Sequence, residues 1–299
     1  MSWPFAHVHA GGGAPTGWAL INGPIISLAQ QEEFARLRRS GHRFAGMSSY
    51  LTFPQLNEGD PLDYQDVCEA WCHCFREPHR FLRAGLPRAL ISASDFIDPR
   101  WIDPEGMAAA DPADRVDFVY AGAVEDWKRG VKNWPLAARC IPRICRDLGL
   151  RALVIGTPTP DFPPTPGVAF SPPLPWRDLM SRLAGARFLF VPNGLDASPR
   201  LLAEALCLNI PLVVYRQILG GWKYVNRFTG SFFDDERDVV AAVRACLDQA
   251  PAPRAWFRAN HGSYLAGARL LRLLRKVDPQ LNRYRHLLLA DGAAGAAAT

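Results

Sequence analysis

The chain has 299 residues and is 48% hydrophobic, so it can bury the core of two ordinary domains or of one large domain. Its formal net charge of +5 suits phosphorylated ligands, and it lacks the concentrated basic stripe with interleaved aromatic residues that is typical of nucleic-acid binding. No run of residues has the length and apolarity of a membrane-spanning helix, and the first residues lack the charged start and apolar stretch of a secretory signal. We therefore expect a soluble cytoplasmic protein that does not bind nucleic acid.

The first hundred residues predict a small α/β segment. Residues 1–30 are rich in glycine, proline and alanine and show no clear strand, so we interpret Gly11–Gly13 as a loop. Hydrophobic spacing then predicts, in chain order, a polar helix over Glu32–Arg39, a strand over Arg43–Phe53, a helix over Tyr64–Phe75 and a strand over Pro87–Ser92. Asp95–Arg115 is heavy in aspartate and proline and is interpreted as an interdomain linker.

The chain has seven cysteines, an odd number without the spacing of a small disulfide-stapled domain. In the predicted helix, Cys68 and Cys72 share one face, and together with His73 and Cys74 they suggest a metal site. Cys74 points away from that face and no second pair of ligands follows, which favours buried thiols in a reducing compartment. We therefore expect no metal site here.

Strands and helices alternate through the rest of the chain. The predicted elements are strands over Asp117–Gly122 and Arg151–Gly156, helices over Trp134–Leu148, Leu174–Leu183, Arg237–Ala250 and Trp256–Lys276, and a proline-rich loop over Pro158–Pro173. This alternation predicts a parallel sheet covered by helices on both faces. The Ala- and Gly-rich tail Asp291–Thr299 has little to pack and is expected to be disordered.

Phe188–Val214 is the most informative segment, because it predicts a buried strand, a polar loop, a capped helix and a second buried strand. Ser198 suits the N-cap and Pro199 the first helical position. The loop thus delivers a helix N-terminus to the carboxyl end of a strand, where open α/β sheets bind anionic ligands. Asp196 and Glu204, with seven residues between them, could then flank one ligand.

This segment resembles the nucleotide-sugar domain of the glycosyltransferases with the GT-B fold, closest to family 4 and its retaining relatives. The family pattern is an acid, seven residues, Glu-Ala, a small-residue turn and an apolar strand. Here it reads Asp196, Glu204-Ala205 and Leu212–Val214. The family usually carries Glu and Gly-Phe-Gly where this chain has Asp196 and Ala197–Pro199. The donor, or the pose in which it binds, can therefore differ from that of the family.

The resemblance implies an α/β fold of two Rossmann-like domains (GT-B), with the N-terminal one reduced. The implied division is residues 1–110 for the acceptor-side domain, 111–255 for the nucleotide-sugar domain, 256–290 for helices that return to the N-terminal domain, and 291–299 for the tail. It further implies a hexosyl- or related glycosyltransferase that moves a sugar from a nucleoside-diphosphate sugar to an acceptor hydroxyl with retention. No metal cofactor is required, since basic side chains and helix termini stabilise the leaving diphosphate.

The family's phosphate-binding Lys stands six residues after a strand-ending Gly, which here gives Lys128 after Gly122. The usual Arg after that Gly is Ala123, and Lys132 or Arg129 could compensate for it. The alternative is that both lysines decorate an exposed turn. No residue stands out as a nucleophile or base. The retention that the resemblance implies needs no enzyme base, because the leaving phosphate can take the acceptor's proton.

The resemblance assigns Glu204 to the ribose hydroxyls and Asp196 to the donor sugar, so Lys128 and Asp196 are the catalytic candidates. Alternatively, Glu204 is a solvated helix residue and Asp196 serves helix-end electrostatics. The remaining donor-binding candidates are Gly122, Lys132, Ser198, Pro199, Arg200, Gly220 and Gly221. The two glycines Gly220 and Gly221 would bring backbone amides to the donor, or form a plain turn. His7, His9 and Asp95 are further catalytic candidates. The alternative is a surface or core histidine for His7 and His9, and a solvated linker acid for Asp95.

The sequence allows more than one hypothesis of function. A non-catalytic GT-B-like nucleotide-binding or partner protein is the alternative to a transferase, favoured by the missing Arg and Gly-Phe-Gly. A dinucleotide oxidoreductase ranks low because no G-x-G-x-x-G turn follows a strand. The expected acceptor is a glycan, a lipid-linked sugar or a small molecule. A peripheral membrane contact would use the basic helix residues Arg269, Arg272, Arg275 and Lys276, which otherwise form a solvated face.

Overall fold

The computed structural model describes residues 3–55, 62–107, 115–123, 126–249 and 251–289, so the tail Asp291–Thr299 lies outside the described residues. The strands are β1 Phe5–Ala10, β2 Pro15–Ile21, β3 Arg43–Met47, β4 Ala70–His73, β5 Arg88–Leu90, β6 Phe118–Ala123, β7 Ala152–Gly156, β8 Val168–Ser171, β9 Phe188–Val191, β10 Leu212–Tyr215, β11 Gly230–Phe233 and β12 Leu287–Leu289. The helices are α1 Leu28–Arg39, α2 Tyr64–Val67, α3 Asp126–Val131, α4 Trp134–Leu148, α5 Trp176–Ala184, α6 Arg200–Cys207, α7 Val239–Asp248, α8 Pro253–Asn260 and α9 Ser263–Leu274.

The chain divides into two compact units. Unit 1 comprises residues 1–97 and 261–299, and unit 2 comprises residues 98–260. The chain therefore passes between the units after Ile97 and after Asn260. The position expected for the first boundary, residue 110, lies outside the described residues.

Unit 1 is built on a sheet in the order β12-β1-β2-β3-β4-β5 among the residues described. β2 to β5 run parallel, and β1 pairs antiparallel with both β2 and β12. Its two faces carry separate apolar clusters, one centred on Trp18 and α9 and the other on Phe5 and Trp71. The sheet is thus covered on both sides, as an α/β fold requires.

The N-terminal strands are absent from the sequence prediction, which was wrong for residues 1–30. β1 and β2 form a hairpin around Gly11–Gly13, with Gly13 at φ +85°. β1 alternates the half-buried His7 and His9 with buried apolar residues, a pattern that the prediction overlooked. β2 lacks such an alternation, because its last four residues are all buried. α1 also begins four residues earlier than expected, because Ser27 and Gln30 form a capping box.

The helix predicted over Tyr64–Phe75 is wrong in its second half. α2 ends at Val67, and β4 follows with every residue buried. A buried strand and a buried helix segment look alike in hydrophobic spacing, which explains the error. Cys68 and Cys72 therefore do not share a helix face. The strand predicted over Arg43–Phe53 is also too long, because β3 ends at Met47.

The helix predicted over Trp256–Lys276 is two helices, α8 and α9, separated at His261 and Gly262. Gly262 has φ +102°, which helical geometry forbids. Beside this break lies Asp95, which the sequence suggested as a solvated linker acid. It is instead fully buried, with its Oδ1 2.9 Å from His261 Nδ1.

Unit 2 is a parallel sheet in the order β11-β10-β9-β6-β7-β8 within the described residues. α4 begins and ends where the sequence predicts, while β8 lies inside the segment predicted as a proline-rich loop. The core on one face gathers aromatic residues of three strands, including Tyr120, Phe190 and Phe233, against α4 and α7. No helix in the described part of the chain is long and apolar enough to cross a bilayer.

Candidate functional site

The strand order of unit 2 reverses between β6 and β9. From β6 the chain proceeds outward through β7 and β8, and from β9 it proceeds in the opposite direction through β10 and β11. In open α/β sheets the crevice at this switch point, at the carboxyl ends of the strands, is where ligands bind. The residues that follow β6 and β9 therefore define the candidate site.

Asp196, on the loop after β9, is the centre of a polar cluster. Its carboxylate Oδ2 accepts hydrogen bonds from the Lys132 ammonium group and from Asn193 Nδ2, the latter at 3.0 Å. The Lys132 side chain is 28% exposed and the Asp196 side chain is 13% exposed, so both side chains are partly buried. The structure thus brings a cation and an anion of the predicted site into direct contact.

Gly122 at the end of β6 makes this approach possible. It has φ +155°, and a Cβ placed on it would lie 2.6 Å from the Cβ and Cγ of Lys132. Any side chain at this position would displace the lysine. The Tyr120 hydroxyl donates to the Lys132 carbonyl at 3.4 Å, and burial raises the pKa of that hydroxyl, so it stays protonated.

Gly220 and Gly221 lie directly against the loop that carries Asp196. A Cβ on Gly220 would stand 1.9 Å from the Ala197 carbonyl oxygen, and one on Gly221 would stand 2.7 Å from Pro199 Cγ. The Gly220 amide donates to the Asp196 carbonyl at 2.9 Å. The close packing of the loop after β10 against the loop after β9 therefore requires the glycine pair. The Gly220 amide is hydrogen-bonded to the Asp196 backbone.

The predicted cap of α6 is wrong. The helix begins at Arg200, Pro199 is its N-cap residue, and no side chain caps its first turn, so Ser198 lies outside it. Pro199 has ψ 96°, an extended conformation that delays the helix by one residue. Arg200 remains half-buried at the first turn, next to the candidate site.

Glu204 is buried inside α6, with 4% of its surface exposed. The Trp176 indole N–H donates to its Oε1 at 3.1 Å, and Arg200 Nη2 lies 3.5 Å from the same oxygen. A carboxylate this far from water needs such partners, because burying a lone charge is costly. The alternative from the sequence, that Glu204 is a solvated helix residue, is therefore wrong.

Lys128 lies on α3, the short helix that follows β6. Its ammonium nitrogen is 5.5 Å from the ring of Trp127, a side chain that is 57% exposed. Its neighbour Arg129 turns inward, donating to the Thr157 carbonyl at 3.2 Å after β7 and pairing with Asp126 at 3.3 Å. α3 thus presents two cations at the carboxyl edge of the sheet.

The structure joins the sequence candidates in two groups. Lys132, Gly122 and Asp196 meet at the switch point, and Arg200 meets Glu204 on α6. His7 and His9 lie on β1 of unit 1, with their rings 6.1 Å apart.

Sequence reasoning missed Asn193 and Trp176, the partners of the two acids. Their only sequence signals were a position just after a buried strand and a position at a helix start.

Among the described residues, no group of three or more His, Cys, Asp or Glu side chains is arranged to hold a metal ion. The seven cysteines all lie among the described residues; each is buried and none forms a disulfide. Cys68, Cys72 and Cys74, with His73, therefore do not form the cluster that their spacing suggested.

No protein-family model and no curated protein matches the chain. Solved structures do. Sucrose-phosphate synthase from Thermosynechococcus elongatus matches with a TM-score of 0.58 and 11% identity, over 83% of this chain and 71% of that chain. The UDP-forming α,α-trehalose-phosphate synthase from Burkholderia xenovorans, in complex with glucose-6-phosphate, matches with a TM-score of 0.58 and 14% identity, over 82% and 72%. AviGT4, a glycosyltransferase involved in avilamycin A biosynthesis, matches with a TM-score of 0.57 and 14% identity, over 83% and 71%.

Similarity at this level of identity establishes the fold. These neighbours are GT-B proteins, and the matches cover most of this chain. The α/β fold with two Rossmann-like halves that the sequence predicted is confirmed. The chain therefore has the GT-B fold.

Proposed function

We propose that the chain is a glycosyltransferase that moves a sugar from a nucleoside-diphosphate sugar to an acceptor hydroxyl. The observation that carries the proposal is the placement of two acids on the loop and helix after β9, at the switch point of the unit 2 sheet. Asp196 faces Lys132 there, and Glu204 lies one turn inside α6. The GT-B fold supports the proposal, since its neighbours include named glycosyltransferases.

The cations at the carboxyl edge suit the leaving diphosphate. Lys128 and Arg129 on α3, with Lys132, would supply positive charge to the diphosphate as the glycosidic bond breaks. Asp196 would accept hydrogen bonds from the donor sugar and hold it in line with the acceptor. With retention, the acceptor attacks from the face that the diphosphate leaves, and a diphosphate oxygen takes its proton. The proposed reaction uses these side chains and no metal ion.

Glu204 would bind the ribose of the donor. Its carboxylate is fixed by Trp176 and Arg200, so it is already oriented before a ligand arrives. Two vicinal hydroxyls can donate to one carboxylate, which suits a ribose at this position. Arg200, whose guanidinium is one-third exposed, lies beside it and offers a donor of its own.

A non-catalytic nucleotide-binding protein with this fold is the second candidate. It is favoured by the ion pair itself, because Asp196 neutralises one of the cations that a diphosphate would need. The Arg that the resemblance places after Gly122 is also replaced by Ala123. Turnover separates the two candidates, since only the transferase releases a free nucleotide from a sugar nucleotide.

The first test is the thermal stability of the protein against a panel of nucleoside diphosphates and their sugars, with and without EDTA. We expect one nucleotide to raise the melting temperature regardless of the chelator, and Glu204→Gln to remove that rise. Glu236→Gln, at a half-buried acid paired with Arg139, is the matched control and should keep it. A rise that survives Glu204→Gln, or the absence of a rise with every nucleotide, contradicts the proposed site.

A further inference from the structure

Unit 1 contains a cavity of about 210 Å³ between β5 and α9. Its lining residues include none of the candidate-site residues of unit 2. Its apolar lining comes from Ala89, Leu90, Ile91 and Leu273. Its charged lining comes from Arg269, Arg272 and Lys276, and no acidic side chain lines it among the described residues. A cavity with apolar walls and a few convergent charges is the usual form of a small-ligand site.

The three cations share one face of the helix and its continuation. Residues spaced by three, four and seven positions stack on one side of an α-helix, which is the spacing of Arg269, Arg272 and Lys276. Leu273 lies between them and is buried, so it forms the floor. Their charges therefore converge over one patch instead of spreading around the helix.

Arg275, the residue after α9, is a cation with a structural role. Its guanidinium donates to the Tyr284 carbonyl at 2.6 Å and tethers the segment that follows the helix. Arg272 and Lys276, by contrast, are exposed, and within the described residues they form no ion pair or hydrogen bond. Two uncompensated cations at the mouth of a cavity favour an anionic occupant.

We propose that this cavity binds a phosphate ester whose apolar portion lies on the walls of the cavity. Arginine offers a planar fork that matches two phosphate oxygens, and lysine adds a point charge. Leu90, which is 36% exposed on the edge strand β5, extends the apolar wall to the surface. The phosphate belongs to either a soluble ester or a lipid headgroup, which share this chemistry.

Titrations with hexyl phosphate and inorganic phosphate, and flotation with phosphatidylcholine vesicles with and without phosphatidylglycerol, test the site. The full chain should bind hexyl phosphate more tightly than inorganic phosphate if the ligand is soluble. It should float only with the anionic vesicles if the ligand is a lipid headgroup. Either result supports the cavity, and the two results identify the source of the phosphate.

The double variant Arg272→Gln/Lys276→Gln should weaken the observed binding by about tenfold or more, since two charge-assisted contacts are lost. The matched control Arg244→Gln/Arg258→Gln removes the same charge from exposed positions on α7 and α8 and should bind as the unchanged protein does. Melting temperatures of both double variants equal to that of the unchanged protein would show that folding is intact. Binding of none of the probes, or equal binding by the two double variants, overturns the proposal.

Discussion

The Lys132 ammonium group donates to the Asp196 carboxylate across a sequence separation of 64 residues. This contact joins the helical segment after β6 to the loop after β9, so it ties together the two elements that flank the switch point. Asn193 holds the same carboxylate oxygen at 3.0 Å. The acid is thus fixed in position before any ligand binds, which is what an orienting group requires.

This ion pair should contribute modestly to the stability of unit 2. Both side chains are partly exposed, so we expect a coupling of about 1 kcal/mol between Lys132→Met and Asp196→Asn in a double-mutant cycle. Urea unfolding of the four proteins measures it. Additive effects of the two substitutions would show that the contact contributes nothing to folding.

Gly220 should tolerate no side chain. Gly220→Ala drives a Cβ into the Ala197 carbonyl, and overpacking of this kind costs about 1–3 kcal/mol of the free energy of unfolding. Gly194→Ala is the control in the neighbouring loop, because nothing lies within 4 Å of its added Cβ. Chemical denaturation should show a loss for the first variant and a change within about 0.5 kcal/mol for the second. Equal effects would contradict the close packing of the two loops.

Trp176 should be needed to keep Glu204 buried as an anion. Trp176→Phe removes the indole donor and leaves the carboxylate short of a partner, which costs about 1–3 kcal/mol of stability. Trp101→Phe, at a tryptophan that is 80% exposed, serves as the control and should change little. Glu204→Gln combined with Trp176→Phe should cost less than the sum of the two, since the amide needs the donor less. Simple additivity would contradict the contact.

The buried thiols should make the protein less stable in alkali. Burial raises the pKa of Cys207, Cys140 and Cys246 to about 12 from an ordinary value of 9.0. Because the unfolded thiols lose their protons first, the folded state binds more protons between these values, and stability falls as pH rises from 9 towards 12. Below pH 9 both states are protonated and the thiols cause no slope.

Replacement of Cys246 by Ala should flatten the alkaline slope of the unfolding free energy by about 1 kcal/mol per pH unit. The same burial predicts that a thiol reagent at pH 8 labels none of the seven cysteines until denaturant is added. Rapid labelling of the native protein would contradict the buried environment. An alkaline slope unchanged by the substitution would contradict the raised pKa of Cys246.

Local sequence signals predicted unit 2 well and unit 1 poorly. α4 has an amphipathic pattern and a glycine after its last residue, which mark both ends of a helix. β1 alternates two half-buried histidines with buried apolar residues, a pattern that the prediction overlooked. β2 and β4 carry no such alternation, because the last four residues of β2 and all of β4 are buried, and β4 could not be distinguished from a helix. The break between α8 and α9 depends on Gly262, a single residue in a pattern that otherwise remains helical.

The candidate site was predictable in its acids and not in their partners. The spacing of Asp196 and Glu204 follows from a strand–loop–helix pattern in contiguous sequence. Their partners come from elsewhere in the chain, since Lys132 is 64 residues from Asp196 and Trp176 is 28 residues from Glu204. The roles of Gly220 and Gly221 depend on the distance between two loops, which one sequence does not contain.

The most direct test of the central claim is the release of nucleotide from a panel of nucleoside-diphosphate sugars, followed by NMR with candidate acceptors present. We expect the unchanged protein to release one nucleotide and form a new glycosidic bond. Asp196→Asn should lower that rate by about 10²-fold or more while nucleotide binding remains. Nucleotide release at the same rate by Asp196→Asn, or binding of the nucleotide without any turnover, would contradict the transferase.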